Sequence, residues 1–288
     1  MYTHAINSRI IYARGESVKA VGHKLYQKKS LGQVFLNTDW PVKRMVEKLM
    51  AWGVDRVIEI GPGNGILTKA LLEAGIRVTA VEKDDRFAER LPGIILPEHR
   101  DHLTVRNEDI LKVNLPEWFD LGEKSGQKSA VVGNIPYNIS SPILLWVLPH
   151  LQRMTGTMMM VQLEFAQRLA AEVDTKEYGS LSVYVQLRSE IEFDCKVERA
   201  CFTPIPKVDS AIFTLRSRRD LLPPDVLKRA ETITRITFTQ RRKKLRNGVK
   251  PFLSSKNEAD CPIDLNRRAE TLSPEEFVKL ANFLLPSK

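Results

Sequence analysis

The 288-residue sequence predicts an α/β chain: a mostly parallel sheet with an antiparallel edge, followed by a smaller all-α domain. Three observations carry this. Between Arg56 and Leu215, short β-branched runs alternate with segments whose apolar residues recur at helical spacing. Near the end of that stretch, two apolar runs come close together with little helix between them. After Leu215 the pattern is helical to the end.

The runs RVIEI (56–60), RVTAV (77–81), HLTVR (102–106), AVVGN (130–134) and MMMVQL (158–163) read as buried strands. The intervening ILTKALLEAG and SPILLWVLPHL show the helical period. Such alternation implies right-handed crossovers and a parallel sheet covered on both faces. LSVYVQL (181–187) and SAIFTLR (210–216) are the expected antiparallel strands at one edge. RSRRD then runs into LLPPD, a linker with a proline start for the next helix. VLKRAETITRITF and SPEEFVKLANFLL follow as helices, the second with Ser273 as N-cap and acids in its first turn. The expected division is a basic tail over 1–27, an α/β domain over 28–217 and a helical domain over 218–288.

Hydrophobic residues at 43% and charged residues at 27% exclude a disordered or fibrous chain. No apolar run is long enough to cross a bilayer, so no membrane partner is expected. Cys195, Cys201 and Cys261 fit neither a disulfide framework nor a metal-ligand spacing. They read as reduced thiols, and the expected location is cytoplasmic. The five histidines are scattered, and no metal is expected. Residues 1–23 carry Arg9, Arg14 and Lys19 against Glu16 and lack the apolar core of a secretory signal. A basic tail is the reading, with an organelle transit peptide as the alternative. Lys+Arg 44 against Asp+Glu 35 leaves a net charge of +9, which points to a polyanionic partner.

The first strand ends in Gly61-Pro62-Gly63-Asn64-Gly65. Glycines there let the chain turn sharply and let a ligand come closer than a Cβ allows. A dinucleotide fingerprint wants glycine at position 66, which is Ile66. Gly-x-Gly-x-Gly after the acidic strand end at Glu59 instead suits a ligand without pyrophosphate, of which S-adenosylmethionine is the usual one. Glu82 closes the next strand, where a carboxylate can accept hydrogen bonds from both ribose hydroxyls. Asp109 follows the third strand and can accept from an adenine amino group. The C-terminal edge of consecutive strands is where open α/β sheets bind ligands.

The fourth strand runs into Asn134-Ile135-Pro136-Tyr137. An Asn-x-Pro-Tyr tetrapeptide here resembles the signature of methyltransferases acting on exocyclic amino groups. The adenine N6 lone pair is delocalised into the ring, so the amine is a poor nucleophile. The Asn134 side-chain oxygen and the Ile135 carbonyl can accept its two N–H groups and turn the lone pair toward the methyl donor. Pro136 stiffens the loop and holds both acceptors in advance. Tyr137 offers a ring face to the base, worth about 1–3 kcal/mol.

Taken together, these pieces resemble the KsgA family of small-subunit ribosomal RNA adenine dimethyltransferases, over Lys28 to about Leu253. The motifs are KKSLGQVFL (28–36), VIEIGPGNGILT (57–68), VEKD (81–84), NIPYNISSPIL (134–144), CFTPIPKVDSAIF (201–213) and FTQRRKKLRN (238–247). The resemblance implies a Rossmann-like class I methyltransferase sheet and S-adenosylmethionine as donor. It implies cofactor contacts at Gln33, Val34, Leu36, Gly61, Gly63, Glu82, Lys83, Asp109, Ile110 and Asn134. Acceptor contacts would come from Asn134, Ile135, Pro136, Tyr137 and Phe202, with Phe202 closing a sandwich against Tyr137. The implied substrate is a pair of adjacent adenosines in a hairpin loop near the 3′ end of 16S rRNA, in the small ribosomal subunit. A monomer is expected.

Two positions depart from the family pattern. Val34 stands where the motif usually has Asn, so any contact there comes from backbone. Ile135 is common in the Erm relatives, which modify large-subunit rRNA; since its carbonyl acts, little chemical effect is expected. An Erm-type methylase is one competing reading, opposed by FTPIPKVDS (202–210) with Asp209 where Erm enzymes tend to have Asn. A non-catalytic nucleic-acid-binding relative is the other, opposed by intact Gly61, Glu82, Asp109, Asn134 and Tyr137.

The positive charge is uneven. Residues 1–33 hold six Lys/Arg and one acid, and residues 216–250 hold twelve and three. The remaining chain is mildly acidic. Lys28, Lys29, Arg241, Arg242, Lys243, Lys244 and Arg246 are therefore the expected RNA phosphate contacts.

Overall fold

The computed structural model describes residues 9–12, 34–253 and 256–285. Its strands are β1 (Arg9–Tyr12), β2 (Phe35–Leu36), β3 (Arg56–Ile60), β4 (Arg77–Glu82), β5 (Leu103–Asn107), β6 (Ser129–Asn134), β7 (Gly156–Gln162), β8 (Ser189–Val197), β9 (Phe202–Thr203) and β10 (Ser210–Ser217). Its α-helices are α1 (Trp40–Ala51), α2 (Ile66–Glu73), α3 (Asp85–Ile94), α4 (Leu115–Glu123), α5 (Ser140–Val147), α6 (Leu163–Leu169), α7 (Ser180–Gln186), α8 (Pro224–Phe238), α9 (Leu245–Val249) and α10 (Pro274–Leu284).

Eight strands form one sheet in the order β1-β5-β4-β3-β6-β7-β10-β8. The five predicted core strands pair in parallel, β5-β4-β3-β6-β7. Both flanks are antiparallel, β1 on β5 and β10 on β7. The chain leaves β3 toward β4 and β5, then returns to lay β6 on the other side of β3. That reversal opens a crevice beyond the carboxyl ends of β3 and β6. Leu71, Leu91, Val105 and Met158, all fully buried, belong to the core packed on this sheet. A separate two-stranded pairing joins β2 to β9, with Leu36 opposite Phe202.

Three expectations are corrected. LSVYVQL is helix, not strand: it lies in α7 and the residue that follows. Its β-branched alternation favours a strand locally, but Val183 and Leu187 are one helical turn apart and both enter a core with Leu227, Ile233 and Phe277. The Ser182 hydroxyl donates to the Arg168 carbonyl at 2.6 Å and accepts from the Gly179 N–H at 3.0 Å, which fixes the start of that helix. The edge strand is instead β8, SEIEFDCKV. There Glu190, Glu192, Asp194 and Lys196 alternate with Ile191, Phe193, Cys195 and Val197, a charged pattern that suits a sheet edge. Arg9–Tyr12, expected in a tail, forms β1.

The chain divides into two compact units. The first runs to Leu163 and includes Phe193–Arg216; the second is Glu164–Glu192 with Ser217–Lys288. The segment 164–192, expected in the α/β domain, therefore belongs to the helical unit. Within that unit Tyr178 is fully buried and its hydroxyl donates to the Leu272 carbonyl at 2.8 Å. Helix α8 opens at Pro224, and α10 carries a capping box: Ser273 Oγ accepts from the Glu276 N–H, and the Glu276 carboxylate accepts from the Ser273 N–H at 2.8 Å.

Candidate active site

A cavity of about 250 Å³ lies in the first unit at the carboxyl ends of β3, β4 and β6. The β3–α2 turn supplies Gly61 and Gly63, and β4 supplies Glu82 with Lys83 after it. Asp109 and Ile110 come from the loop after β5, Asn134, Ile135 and Pro136 from the end of β6, and Val34 and Leu36 from β2 and the residue before it. Gln33, Lys28 and Lys29 lie outside the described residues.

The glycine turn and Glu82 are one construction. Gly61 and Gly63 have φ of +63° and +52°, conformations that L side chains rarely adopt. A Cβ on Gly63 would meet the Phe35 ring at 2.8 Å, whereas beyond Gly61 there is open space. The Gly63 N–H donates to Glu82 Oε2 at 3.1 Å, and the Asp84 N–H donates to Oε1 at 2.9 Å. Each oxygen keeps a lone pair for a further donor. Glu82 is 5 % exposed, and burial pushes its pKa above the usual carboxylate range against the pull of those N–H groups.

Asp109 is set differently. Burial pushes its pKa up, but the Lys83 ammonium at 2.8 Å, the Leu111 N–H and the charges of Lys83 and Lys112 bring it below the usual range. Lys83 is thus committed to Asp109 at the rim of the cavity.

At the other wall, the Asn134 amide is half satisfied. Its Nδ2 donates to the Val34 carbonyl at 3.2 Å, while its Oδ1 is buried without a hydrogen-bond partner. This hydrogen bond engages the Val34 backbone carbonyl with Asn134. It leaves Oδ1 as the free acceptor. The Ile135 N–H is spent on the Met160 carbonyl at 2.9 Å, which pins the loop to β7. Tyr137 is half-buried, and its hydroxyl shares a 2.9 Å hydrogen bond with Ser210 Oγ.

Tyr137 and Phe202 do not line the cavity. Phe202 is 0 % exposed and packed into the core, so it presents no free ring face and no sandwich with Tyr137 stands open. The residues of the basic stretch differ in their protein partners. Arg241 bonds Glu270 Oε2 at 2.6 Å and the carbonyls of Lys176 and Thr175 at 2.9 Å each. Arg246 pairs with Glu258 at 2.5 Å, and Lys244 donates to Asn266 at 3.2 Å. Arg242 and Lys243 are exposed, with no side-chain partner among the described residues.

The sequence reading missed Phe35, Glu59 and the α1 residues Val42 and Met45 as lining groups. Glu59 was visible as the acid before the glycine turn. Nothing local marks Val42 or Met45, which read as ordinary helix-core positions.

The residues present fit an adenosine-bearing donor. A buried carboxylate with spare lone pairs, an open glycine turn and an orphaned amide oxygen surround one largely apolar space. Comparison with known proteins decides the lineage. The description "Ribosomal RNA adenine dimethylase" matches residues 24–285. The chain belongs to the ribosomal RNA adenine dimethylase family. Curated relatives named ribosomal RNA small subunit methyltransferase A are similar along nearly their whole length. That of Bacillus cytotoxicus is 37% identical over 280 residues, covering 91% of this chain and 92% of its own. That of Francisella tularensis subsp. novicida is 37% identical over 267 residues, covering 91% and 99%. Among solved structures, a dimethyladenosine transferase from Plasmodium falciparum has a TM-score of 0.68 at 25% identity, covering 85% of this chain and 95% of its own. The 23S rRNA methyltransferase ErmE has a TM-score of 0.64 at 30% identity, covering 87% and 99%. The fold of this dimethylase is therefore the class I methyltransferase fold. No helix among the described residues is long and apolar enough to cross a membrane.

Proposed function

We propose that this dimethylase transfers methyl groups from S-adenosylmethionine to N6 of two adjacent adenosines in a hairpin loop near the 3′ end of 16S rRNA. It acts as a monomer on the small ribosomal subunit during its biogenesis, in the cytoplasm. The observation that carries the reading is Asn134 Oδ1, buried at the cavity wall with no partner. An orphaned buried acceptor costs about 1–3 kcal/mol, and a ligand N–H removes that cost.

When bound, S-adenosylmethionine supplies a methyl group activated on a sulfonium. Glu82 accepts the ribose hydroxyls, Asp109 accepts from the donor's adenine amino group, and the open side of Gly61 admits the ligand backbone closely. Asn134 Oδ1 and the Ile135 carbonyl accept the two target N–H groups and expose the nitrogen lone pair. Tyr137, tethered through Ser210, stacks on the target base. Loop adenines are already largely unstacked, so drawing one into the pocket is inexpensive. The proton leaves once the nitrogen carries the added methyl, so no strong base is required.

Relatives named for the small subunit, similar over nine-tenths of the chain, support this substrate over the ErmE alternative. So does Asp209, whose carboxylate pairs with Lys196 at 2.8 Å and accepts from the Arg199 N–H; an Asn would forfeit the ion pair. The test is transfer of tritiated methyl to unmethylated 30S subunits and to naked large-subunit rRNA, with nucleotide mapping. Label is expected on adjacent adenosines of the small subunit. Label only on large-subunit rRNA would overturn the reading in favour of the Erm type.

A further inference from the structure

The amino ends of the strands, opposite the cavity, carry a row of basic side chains. Arg56 on β3 stands beside Arg77 on β4 in the parallel register, so both side chains leave the same face of the sheet. His102 precedes Leu103, the partner of Val78, and comes next along the row. The Arg56 guanidinium lies over the Trp118 ring of α4, 3.9 Å from its centroid. Trp118 is fixed in turn, its Nε1–H donating to Thr79 Oγ1 at 3.1 Å. Among the described residues, neither Arg56 nor Arg77 has a side-chain hydrogen bond or an ion pair. Like charges on adjacent strands repel, so the row lacks a counter-charge that the sheet does not supply.

Beside the row is a recess of about 450 Å³, all of it within the first unit. Arg77, His102 and Gln127 line it, with Gly53 and Asp55 from the turn before β3. A Cβ on Gly53 would meet Lys128 Nζ at 3.5 Å, which sets that ammonium at the wall. Lys128 has no side-chain hydrogen bond or ion pair among the described residues either. Asp55 is the one acid among the lining residues, and its Oδ2 already accepts from the Lys128 N–H at 2.8 Å. The Arg77 fork, the Lys128 ammonium and the Gln127 amide thus border one space with donors to spare.

The donors select the partner. A site for a drug-sized molecule is mostly apolar and encloses its ligand, whereas charged and polar groups dominate this wall and suit a compact oxyanion. An arginine fork beside a lysine point charge is a pairing that holds phosphate. We propose that the recess binds a backbone phosphate of the substrate RNA, a second contact at the opposite end of the sheet from the methyl-transfer cavity. The proposal rests on the reading of small-subunit RNA as the substrate. Strands of this length put the two places about 17–20 Å apart, a span that a large folded RNA covers. Arg56, stacked on Trp118, adds its positive charge beside Arg77. A phosphate carries no base identity, so the recess supplies affinity and orientation while the cavity chooses the adenine.

Binding of the full chain to unmethylated 30S subunits across a salt series tests the contact. Arg77→Glu and Lys128→Glu are each expected to weaken binding and to lower the salt slope by about one. Arg77→Lys, which keeps the charge, is expected to keep the slope. Donor affinity and the urea midpoint should match wild type, since both side chains are exposed and neither lines the cavity. Unchanged slopes in both charge reversals overturn the proposal. Iron–EDTA tethered at Gln127→Cys, with Cys195, Cys201 and Cys261 replaced by serine, reads what lies at the recess. Cleavage of 16S rRNA is expected when that chain binds the subunit. Binding without rRNA cleavage overturns the proposal, and a lowered slope in that case assigns the recess to an acidic protein segment. Calorimetry with inorganic phosphate covers the remaining source. Phosphate binding that Arg77→Glu abolishes, with subunit slopes unchanged, assigns the recess to a free anion and overturns the RNA contact. If wild type binds no subunit, the substrate reading falls and the proposal with it; subunit binding with unchanged slopes removes only this contact.

Discussion

The cavity at the carboxyl edge of the sheet and the basic stretch Arg241–Arg246 of the second unit are both rich in polar groups, held in opposite ways. In the cavity the groups are buried and some of their valences are left open: Asn134 Oδ1, Glu59 Oε2 and the spare lone pairs of Glu82. In the basic stretch the groups are at the surface, where Arg241 bonds three protein groups and Lys244 and Arg246 each have one protein partner. A buried polar group without a partner is expensive, so its open valence signals a ligand. A surface charge costs little either way, so its presence in a sequence says little about its task.

The largest expected effect tests the cavity side. Asn134→Ala removes the orphaned acceptor and is expected to lower methyl transfer about 10²–10³-fold, by analogy with loss of one preorganised transition-state hydrogen bond. Donor affinity, measured by titration calorimetry, should stay within a few-fold; full activity would refute the acceptor role. Next comes Glu82→Gln. Losing a charge-assisted acceptor for hydroxyls is expected to weaken donor binding by about 1.5–3 kcal/mol, roughly ten- to a hundredfold in Kd. Unchanged donor affinity would remove Glu82 from the site.

The smaller effects separate the basic residues from one another. Arg241→Ala should destabilise the protein by about 1–3 kcal/mol in urea unfolding, because it removes the guanidinium that bonds Glu270 and two carbonyls. Retained stability would return Arg241 to the free surface charges. Charge reversal of Arg242 and Lys243 should leave stability within about 0.5 kcal/mol. It should weaken subunit binding and reduce the salt slope by at least about two. An unaltered salt slope would show that the phosphate contacts lie elsewhere.

Legibility in the sequence followed the range of the interaction. The five parallel strands were readable because β-branched runs and helical periods are local patterns. Gly61, Gly63, Glu82, Asp109 and Asn134 were readable because each ends or follows a strand, and strand ends of such a sheet converge. LSVYVQL was misread because its alternation fits a strand, while Val183 and Leu187 were claimed by a core assembled from residues far along the chain. Phe202 was placed at the acceptor site through its motif, but its ring is fully buried. No local pattern distinguishes Arg241, closed by three partners, from its exposed neighbour Arg242.

The amino-acid sequence by itself determined the α/β order, the glycine turn, the acidic strand ends and the Asn-Ile-Pro-Tyr loop, since each depends on residues adjacent in the chain. Only the tertiary structure decided which polar atoms were left open. The Val34 carbonyl takes one end of the Asn134 amide across a separation of 100 residues and leaves the other free. Burial at the end of β3 leaves Glu59 Oε2 without a hydrogen-bond partner. Both depend on desolvation and long-range partnership, which arise when distant segments are brought together.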